Sequence, residues 1–195
     1  MKKYEIKDLK NYQKLGILCM IIVIPGIVGW IVEVLFTYFK SGMTDLRFKG
    51  GNFLPWINMY PIGALLILLV TYKFRNNPIK VLLVSVICAG LFEFLTGFVF
   101  DYFFGIRYWD YEGELLNING YVCLISLTLF GIGGLFLIYI VMPILIKISE
   151  VMPKNIFLIL TIGLCSIILL DEIYNLFIAK IFSLPDAIKL YKGIR

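Results

Sequence analysis

Long runs of apolar residues limit the fold of this chain more than any other feature. Apolar residues make up 61% of the 195 positions and charged residues only 16%, a balance that soluble domains of this size do not carry. The runs are long enough to cross the hydrocarbon core of a bilayer, and they lack the period-two alternation of a membrane β-barrel. Because a lipid-exposed backbone must satisfy its own hydrogen bonds, we predict an all-α, polytopic membrane helical bundle.

The runs predict about five transmembrane helices, five to six in all. Their bounds are 15–39, 57–73, 79–104, 120–147 and 155–180. Pro55, Asn58 and Pro61 surround the start of the second run, so we expect an irregular or re-entrant beginning there, in a place that protein or a water-filled cavity surrounds.

No linker or low-complexity segment divides the chain, and we therefore expect one membrane domain over residues 1–195. Its parts are a basic cytoplasmic segment at 1–14, the helical bundle at 15–180 and a polar tail at 181–195. The first apolar run contains Trp30 and Glu33 and has no A-x-A-like cleavage site, which indicates a retained span.

The distribution of Lys and Arg predicts a cytoplasmic N-terminus. Ten of the 18 Lys and Arg fall in the N-terminal segment and in the second and fourth connections, which lie on one side of a five-span bundle. The net charge of +5 suits flanks that lie against anionic lipid. The bilayer is thus the expected partner, and a nucleic-acid partner is not.

Several kinds of chemistry are unsupported by the residues present. Cys19, Cys88, Cys123 and Cys165 lie inside apolar runs without C-x-x-C spacing, and the chain has no His. His-based triads, His metal ligands and His proton relays are therefore excluded. We predict no metal site, no cofactor and no catalytic residue.

Two acidic residues within predicted spans are candidates for a functional site. An ionised carboxylate in the bilayer costs several kcal/mol unless it is paired, solvated or protonated. Glu33 shares a helix face with Gly26 and Gly29, and Glu93 shares one with neighbouring glycines and Asp101. Small residues on that face allow close approach of another helix, so both carboxylates are expected to point into the bundle. The alternative is that each of these two Glu residues only makes a structural hydrogen bond between helices.

Two more acidic residues, Asp171 and Glu172, interrupt the last apolar run. Either the span ends there at the headgroups, or the two acids face the interior with Asn175 and Lys180. The thickness of the bilayer favours the first interpretation.

The segment 105–124 is the most polar stretch between the long runs. Its aromatic residues, including Trp109 and Tyr111, are typical of a loop anchored at the headgroups. Asp110 and the acids after it offer oxygen ligands to a cation, but their spacing matches no dedicated metal loop. Asn117, Asn119 and the following glycine are expected to cap the fourth span, where free backbone N–H groups would form a cradle for an anion or a carboxylate.

The segments 29–42 and 90–105 resemble one another, since each places a Glu shortly after a Gly and ends at a Gly before a polar, Trp-containing loop. This similarity allows an internal duplication, although chance explains it almost as well.

Three stretches together resemble a known family. They are "VGWIVEVLF" (28–36), "FKGGNFLPWINMYPIGALL" (48–66) and the stretch 92–145, with its W-D-Y followed by N-x-N-G. This combination resembles the bacterial Putative ABC-transporter type IV family, the CmpB-like permeases, over most of residues 15–147.

The resemblance implies a multi-pass protein of the bacterial inner membrane that works with a separate ATPase and that could form homo-oligomers. It also implies a set of candidate substrate-binding residues. They are Glu33, Lys49, Glu93, Asp101, Trp109, Asp110, Tyr111, Asn117 and Asn119. Lys49 stands where the family has Arg, and Lys cannot reproduce a bidentate Arg contact.

Three functions remain open from the sequence. The first is a permease or substrate-binding membrane subunit of an ABC-type system, with a surface for its ATPase near 73–80 or 147–154. The chain has no G-x-x-x-x-G-K-[ST] loop with which to bind ATP phosphates itself. The second is a membrane-embedded enzyme that uses buried carboxylates on a lipid or isoprenoid, although no nucleophile next to a base is visible. The third is a non-catalytic accessory protein.

Overall fold

The computed structural model describes residues 6–40, 42 and 52–188. These residues contain helices and one isolated bridge, between Ile118 and Val122, but no strand. The helices are α1 (Asn11–Lys40), α2 (Met59–Thr71), α3 (Pro78–Phe104), α4 (Leu124–Val151) and α5 (Lys154–Ile181). The prediction of an all-α bundle of about five helices is confirmed.

Four of these helices are long and apolar enough to cross a membrane. They are α1, α3, α4 and α5, whose apolar parts contain 27 to 29 residues. At 1.5 Å per residue each spans about 40 Å, which exceeds the roughly 30 Å hydrocarbon core. The helix α2 is shorter and continues as a 3-10 turn, Tyr72–Phe74. Residues 52–58, directly before it, are not helical, as the prolines predict. The chain is therefore a multi-pass membrane protein.

The two ends of α3 follow from its flanking residues. The side chain of Asn77 accepts a hydrogen bond from the backbone N–H of Lys80 at 3.1 Å, and Pro78 occupies the first turn, where its missing N–H costs nothing. At the other end Gly105 adopts a left-handed conformation with φ of 64°, which terminates the helix.

Both α4 and α5 contain a stretch of wider π-helix. In α4 it covers Leu137–Val141, just before Pro143. Proline has no N–H, and its ring collides with a carbonyl of the preceding turn, so a local widening lets the helix continue to Val151. In α5 the π-helix covers Tyr174–Ile178.

The described chain forms two compact units. The first combines residues up to 62 with residues from 145 onwards. In it, α1 packs against α5, where Gly16 leaves room for the side chains of Phe157 and Thr161. The buried side chain of Gln13 also donates to the carbonyl and the hydroxyl of Ser149, at 3.2 and 3.0 Å.

The second unit comprises residues 63–144, and its main contact is between α3 and α4. Glycines allow this close approach: the ideal position of a Cβ on Gly90 is only 2.5 Å from the side chain of Leu127, and Gly134 faces Ser85 in the same way. Gly133, in contrast, has open space beside it. A single domain over 1–195 stays a prediction.

Candidate functional site

Glu93 is held between α3 and α4 in the second unit. Its side chain is only 7% exposed. The hydroxyl of Tyr111 donates to Oε1 at 3.0 Å, and the hydroxyl of Ser126 lies 2.8 Å from Oε2. Two hydroxyl groups therefore compensate the loss of water around this carboxylate.

The beginning of α4 provides one of these partners. Cys123 is the N-cap residue, and Ser126 completes a capping box with it, since each side chain accepts a bond from the other's backbone N–H. Glu93 thus lies against a helix N-terminus, where the helix dipole favours negative charge.

The predicted cap of this helix is wrong. The helix begins at Leu124, so Asn117 and Asn119 precede it. Asn117 instead accepts a bond from the N–H of Gly120 at 3.3 Å, within a turn, and Asn119 has a positive φ of 52°. The expected cradle for an anion or a carboxylate at this helix entry stays a prediction; the carboxylate of Glu93 lies beside Ser126 in the first turn.

Arg107 connects the loop after α3 to the end of that helix. Its guanidinium lies 3.7 Å from Asp101 Oδ2 and 3.3 Å from Asp110 Oδ2, and it donates to the carbonyl of Asn119 at 2.6 Å. Gly120, which lies beside the ends of the Arg107 and Asp110 side chains, has a φ of 72°, a conformation that favours glycine. Surface ion pairs contribute little singly, but here they form one network.

Tyr121 is the second link between this loop and α3. Its hydroxyl donates to Asp101 at 2.9 Å, and its ring lies against Gly97. The hydrogen bond to the Asp101 carboxylate raises the pKa of Tyr121 above its usual value; desolvation and the charge of Asp101 act in the same direction, and Arg107 opposes them. The indole of Trp109 donates to the carbonyl of Tyr121 at 2.9 Å. The loop 105–123 is therefore cross-linked to α3 at several points.

Most of the predicted site residues belong to this one unit. Those joined by hydrogen bonds or ion pairs within or next to the loop are Glu93, Asp101, Trp109, Asp110, Tyr111, Asn117 and Asn119. Their roles in binding a substrate stay predictions. Lys49 lies outside the described residues.

Two buried serines of this unit provide a matched pair of substitutions. Ser85 is fully buried, and its hydroxyl has no hydrogen-bond partner in the described structure. An unsatisfied buried group costs about 1–3 kcal/mol. We expect Ser85→Ala to leave unchanged or raise the free energy of unfolding, and Ser126→Ala to lower it by about 1–2 kcal/mol, because Ser126 bonds Glu93 and caps α4. Thermal unfolding in detergent would measure both; equal losses would contradict this description of Ser85.

Glu33, the other predicted span carboxylate, lies in the first unit and has a similar partner. Tyr60 donates its hydroxyl to Glu33 Oε1 at 2.9 Å. The ring of Tyr60 occupies the space beside Gly29, and the indole of Trp56 occupies that beside Gly26. The glycine face of α1 is thus covered by Trp56, in the segment that leads into α2, and by Tyr60, in the first turn of α2. In each unit a span Glu accepts a hydrogen bond from a Tyr.

Asp171 and Glu172 of α5 accept hydrogen bonds from the segment that leads into α2. The backbone N–H groups of Phe53 and Leu54 donate to Asp171 at 3.2 and 2.8 Å. Each oxygen of Glu172 accepts a 2.6 Å bond from an Asn side chain, one from Asn52 and one from Asn58. Non-helical backbone near a membrane needs such partners.

The interpretation of Asp171 and Glu172 as the end of the last span at the headgroups stays a prediction. The helix continues to Ile181, and Asp171 accepts a 2.8 Å bond from the side chain of Asn175. The 5% exposed Asn175 in turn accepts from the N–H of Ala187. Of the alternative interpretation, the pairing of Asp171 with Asn175 is present, whereas Lys180 is exposed.

Several residues that form these hydrogen bonds and ion pairs were not among the candidates selected from the sequence. They are Asn52, Asn58, Tyr60, Arg107, Tyr121, Asp171 and Glu172. One signal was available: an irregular segment with two prolines must find acceptors for its N–H groups, and two acids in an apolar run offer them. Among the described residues no group of three or more His, Cys, Asp or Glu is placed to hold a metal ion.

Residues 20–176 match a family model described as "Putative ABC-transporter type IV". The match covers most of the chain. The chain belongs to this family. The resemblance noted from the sequence is thereby confirmed, and the type IV family member carries both hydrogen-bonded clusters, around Glu33 and around Glu93, within the matched residues. Searches of the curated proteins and of the solved structures found no significant match.

Proposed function

We propose that this type IV family member is the permease subunit of an ABC-type transport system, working with a separate ATPase in a bacterial cytoplasmic membrane. The family match supports a membrane transport component. The observation that carries the proposal is the buried carboxylate of Glu93, 7% exposed inside a spanning helix. Acidic residues at such depth are costly and mark substrate or ion pathways.

The substrate site in this proposal is the polar loop above α3 and α4. Asp101, Asp110 and Arg107 line it, and Tyr111 joins it to Glu93 below. A substrate would form hydrogen bonds with these groups in place of their present partners. The hydrogen bond between Tyr111 of the loop and Glu93 must therefore break during transport. Glu33 and Tyr60 would have the equivalent role in the first unit.

The surface for the ATPase is the connection between α2 and α3, with the N-terminus cytoplasmic. This connection is short and rigid: the Arg75 side chain donates to the carbonyl of Tyr72 at 3.2 Å, and Tyr139 donates to the carbonyl of Arg75 at 2.9 Å. Lys73 and Lys80 are exposed on it. A fixed basic turn suits an acidic partner surface.

Capture of the tagged full-length chain from its native membrane, followed by mass spectrometry, tests this proposal. We expect an ABC-type ATPase in fixed ratio. The double variant Lys73→Glu/Lys80→Glu should lose most of it, whereas Lys180→Glu, an exposed Lys on the opposite side of the predicted topology, should retain it. Recovery of the chain without an ATPase would contradict the proposal.

One observation favours a second candidate, a membrane-embedded enzyme. Ser126 Oγ lies 2.8 Å from Glu93 Oε2, so a hydroxyl nucleophile has a carboxylate base within reach. Ser126 is only 5% exposed, which argues against access by a substrate. Treatment with a fluorophosphonate separates the two: the permease proposal expects no modification of Ser126, and rapid modification would favour the enzyme.

A further inference from the structure

An apolar groove lies at the turn between α4 and α5, in the first unit. It has a volume of about 450 Å³, is open to the surface, and is lined by Ile148, Val151, Met152, Pro153 and Ile156. Val151 is 78% exposed. The groove lies where one spanning helix ends and the next begins, at the level expected for lipid headgroups.

Lysines outnumber acids around this groove, where one exposed acid, Glu150, precedes Val151. Lys147 lies one turn before Val151, and Lys154 is the first residue of α5; both are exposed. The first turn of α1 lies alongside, because the Lys154 ammonium is 5.7 Å from the centre of the Tyr12 ring. That turn adds the exposed residues Lys10 and Lys14.

The N-terminus of α5 adds donors to the same place. Its N-cap residue is Pro153, which provides no side-chain cap. The first N–H groups of a helix without such a cap favour an anion, and a lysine in the first turn strengthens this preference.

An exposed apolar track leads away from the groove along α5. Its members follow helical spacing and are Ile156, Ile159, Leu160, Leu164 and Ile167, each between 48% and 70% exposed. A soluble partner could cover the turn but not this track, which runs into the spanning part of the helix. An acyl chain can cover all of it.

We propose that the groove binds one anionic phospholipid, whose acyl chain lies along Ile156 and the track while its phosphate contacts Lys147, Lys154 and the N-terminus of α5. Each Lys near a negatively charged headgroup contributes about 1 kcal/mol. Loss of both should therefore weaken binding at least about tenfold.

Native mass spectrometry of the delipidated full-length chain in neutral detergent tests this site. Dioleoylphosphatidylglycerol should remain bound, whereas dioleoylphosphatidylcholine, with the same acyl chains, should bind about tenfold more weakly. Glycerol phosphate and inorganic phosphate should not compete at millimolar concentration, because they lack the acyl chain.

Two variants and one control complete the test. Lys147→Gln/Lys154→Gln should lose the preference for phosphatidylglycerol, and Val151→Trp, which fills the groove with the charges intact, should lose binding of that lipid. Lys73→Gln/Lys80→Gln removes the same charge elsewhere and should bind as the wild type does. Thermal unfolding without lipid checks that each variant is folded. Equal retention by all variants, or equal binding of both lipids, would overturn the proposal.

Discussion

Replacing Glu93 by Ala should lower the free energy of unfolding by about 3 kcal/mol. The substitution removes the carboxylate that accepts from Tyr111 and lies 2.8 Å from the Ser126 hydroxyl, and a hydrogen bond to a charged group contributes about 1.5–3 kcal/mol. Unfolding in detergent by denaturant or heat would measure the loss. Glu93→Gln, which retains one acceptor oxygen, should lose less.

A control and a double-mutant cycle make the Glu93 prediction specific. Tyr108 lies in the same loop but is 65% exposed, so Tyr108→Phe should change stability by less than about 0.5 kcal/mol. Tyr111→Phe should be destabilising alone and less so in combination with Glu93→Ala, because both substitutions break the same bond. Strict additivity would show that the two side chains do not interact.

Trp56→Ala should destabilise the protein by about 3–5 kcal/mol, as expected for removal of a buried aromatic residue. Trp56 is 3% exposed, fills the space beside Gly26, and donates its indole N–H to the carbonyl of Ile22 at 3.0 Å. Unfolding measurements would show the loss. Phe39→Ala, at a site that is 66% exposed, should have a small effect.

The partnership of Trp56 with Gly26 can be tested separately. Gly26→Ala places a Cβ into the indole ring and should be strongly destabilising in the wild-type background but nearly neutral with Trp56→Ala, where the space is empty. Gly63→Ala is the matched control, since no atom lies within 4 Å of its Cβ position. A large cost of Gly26→Ala in both backgrounds would contradict the described packing.

The helices could be predicted from the sequence because the bilayer imposes one dominant constraint. Runs of about 20 or more apolar residues must form helices that satisfy their own backbone, and the predicted span 79–104 agrees with α3 to within a residue. The beginning of α4 was misplaced by four residues, since Asn and Gly are common helix-entry residues while Cys123 is an unusual cap.

The site was predictable in its residue types and not in its pairings. A carboxylate within an apolar run needs hydrogen-bond donors, and this requirement identified Glu33 and Glu93 as candidates. Helical periodicity does not predict which residue is the donor. Tyr111 is 18 residues from Glu93, and Asn52 is 120 residues from Glu172. Such distant pairs depend on the path of the loops, which no local pattern encodes.

The permease proposal is tested most directly by ATP hydrolysis in the complex captured from native membranes. We predict that wild type and Glu93→Gln capture equal amounts of ATPase. The Glu93→Gln complex should hydrolyse ATP at least tenfold more slowly, which corresponds to an activation free energy higher by about 1.4 kcal/mol. Tyr108→Phe should behave as wild type. Capture without any ATPase, or an unchanged rate in the Glu93→Gln complex, would contradict a transport role for this buried carboxylate.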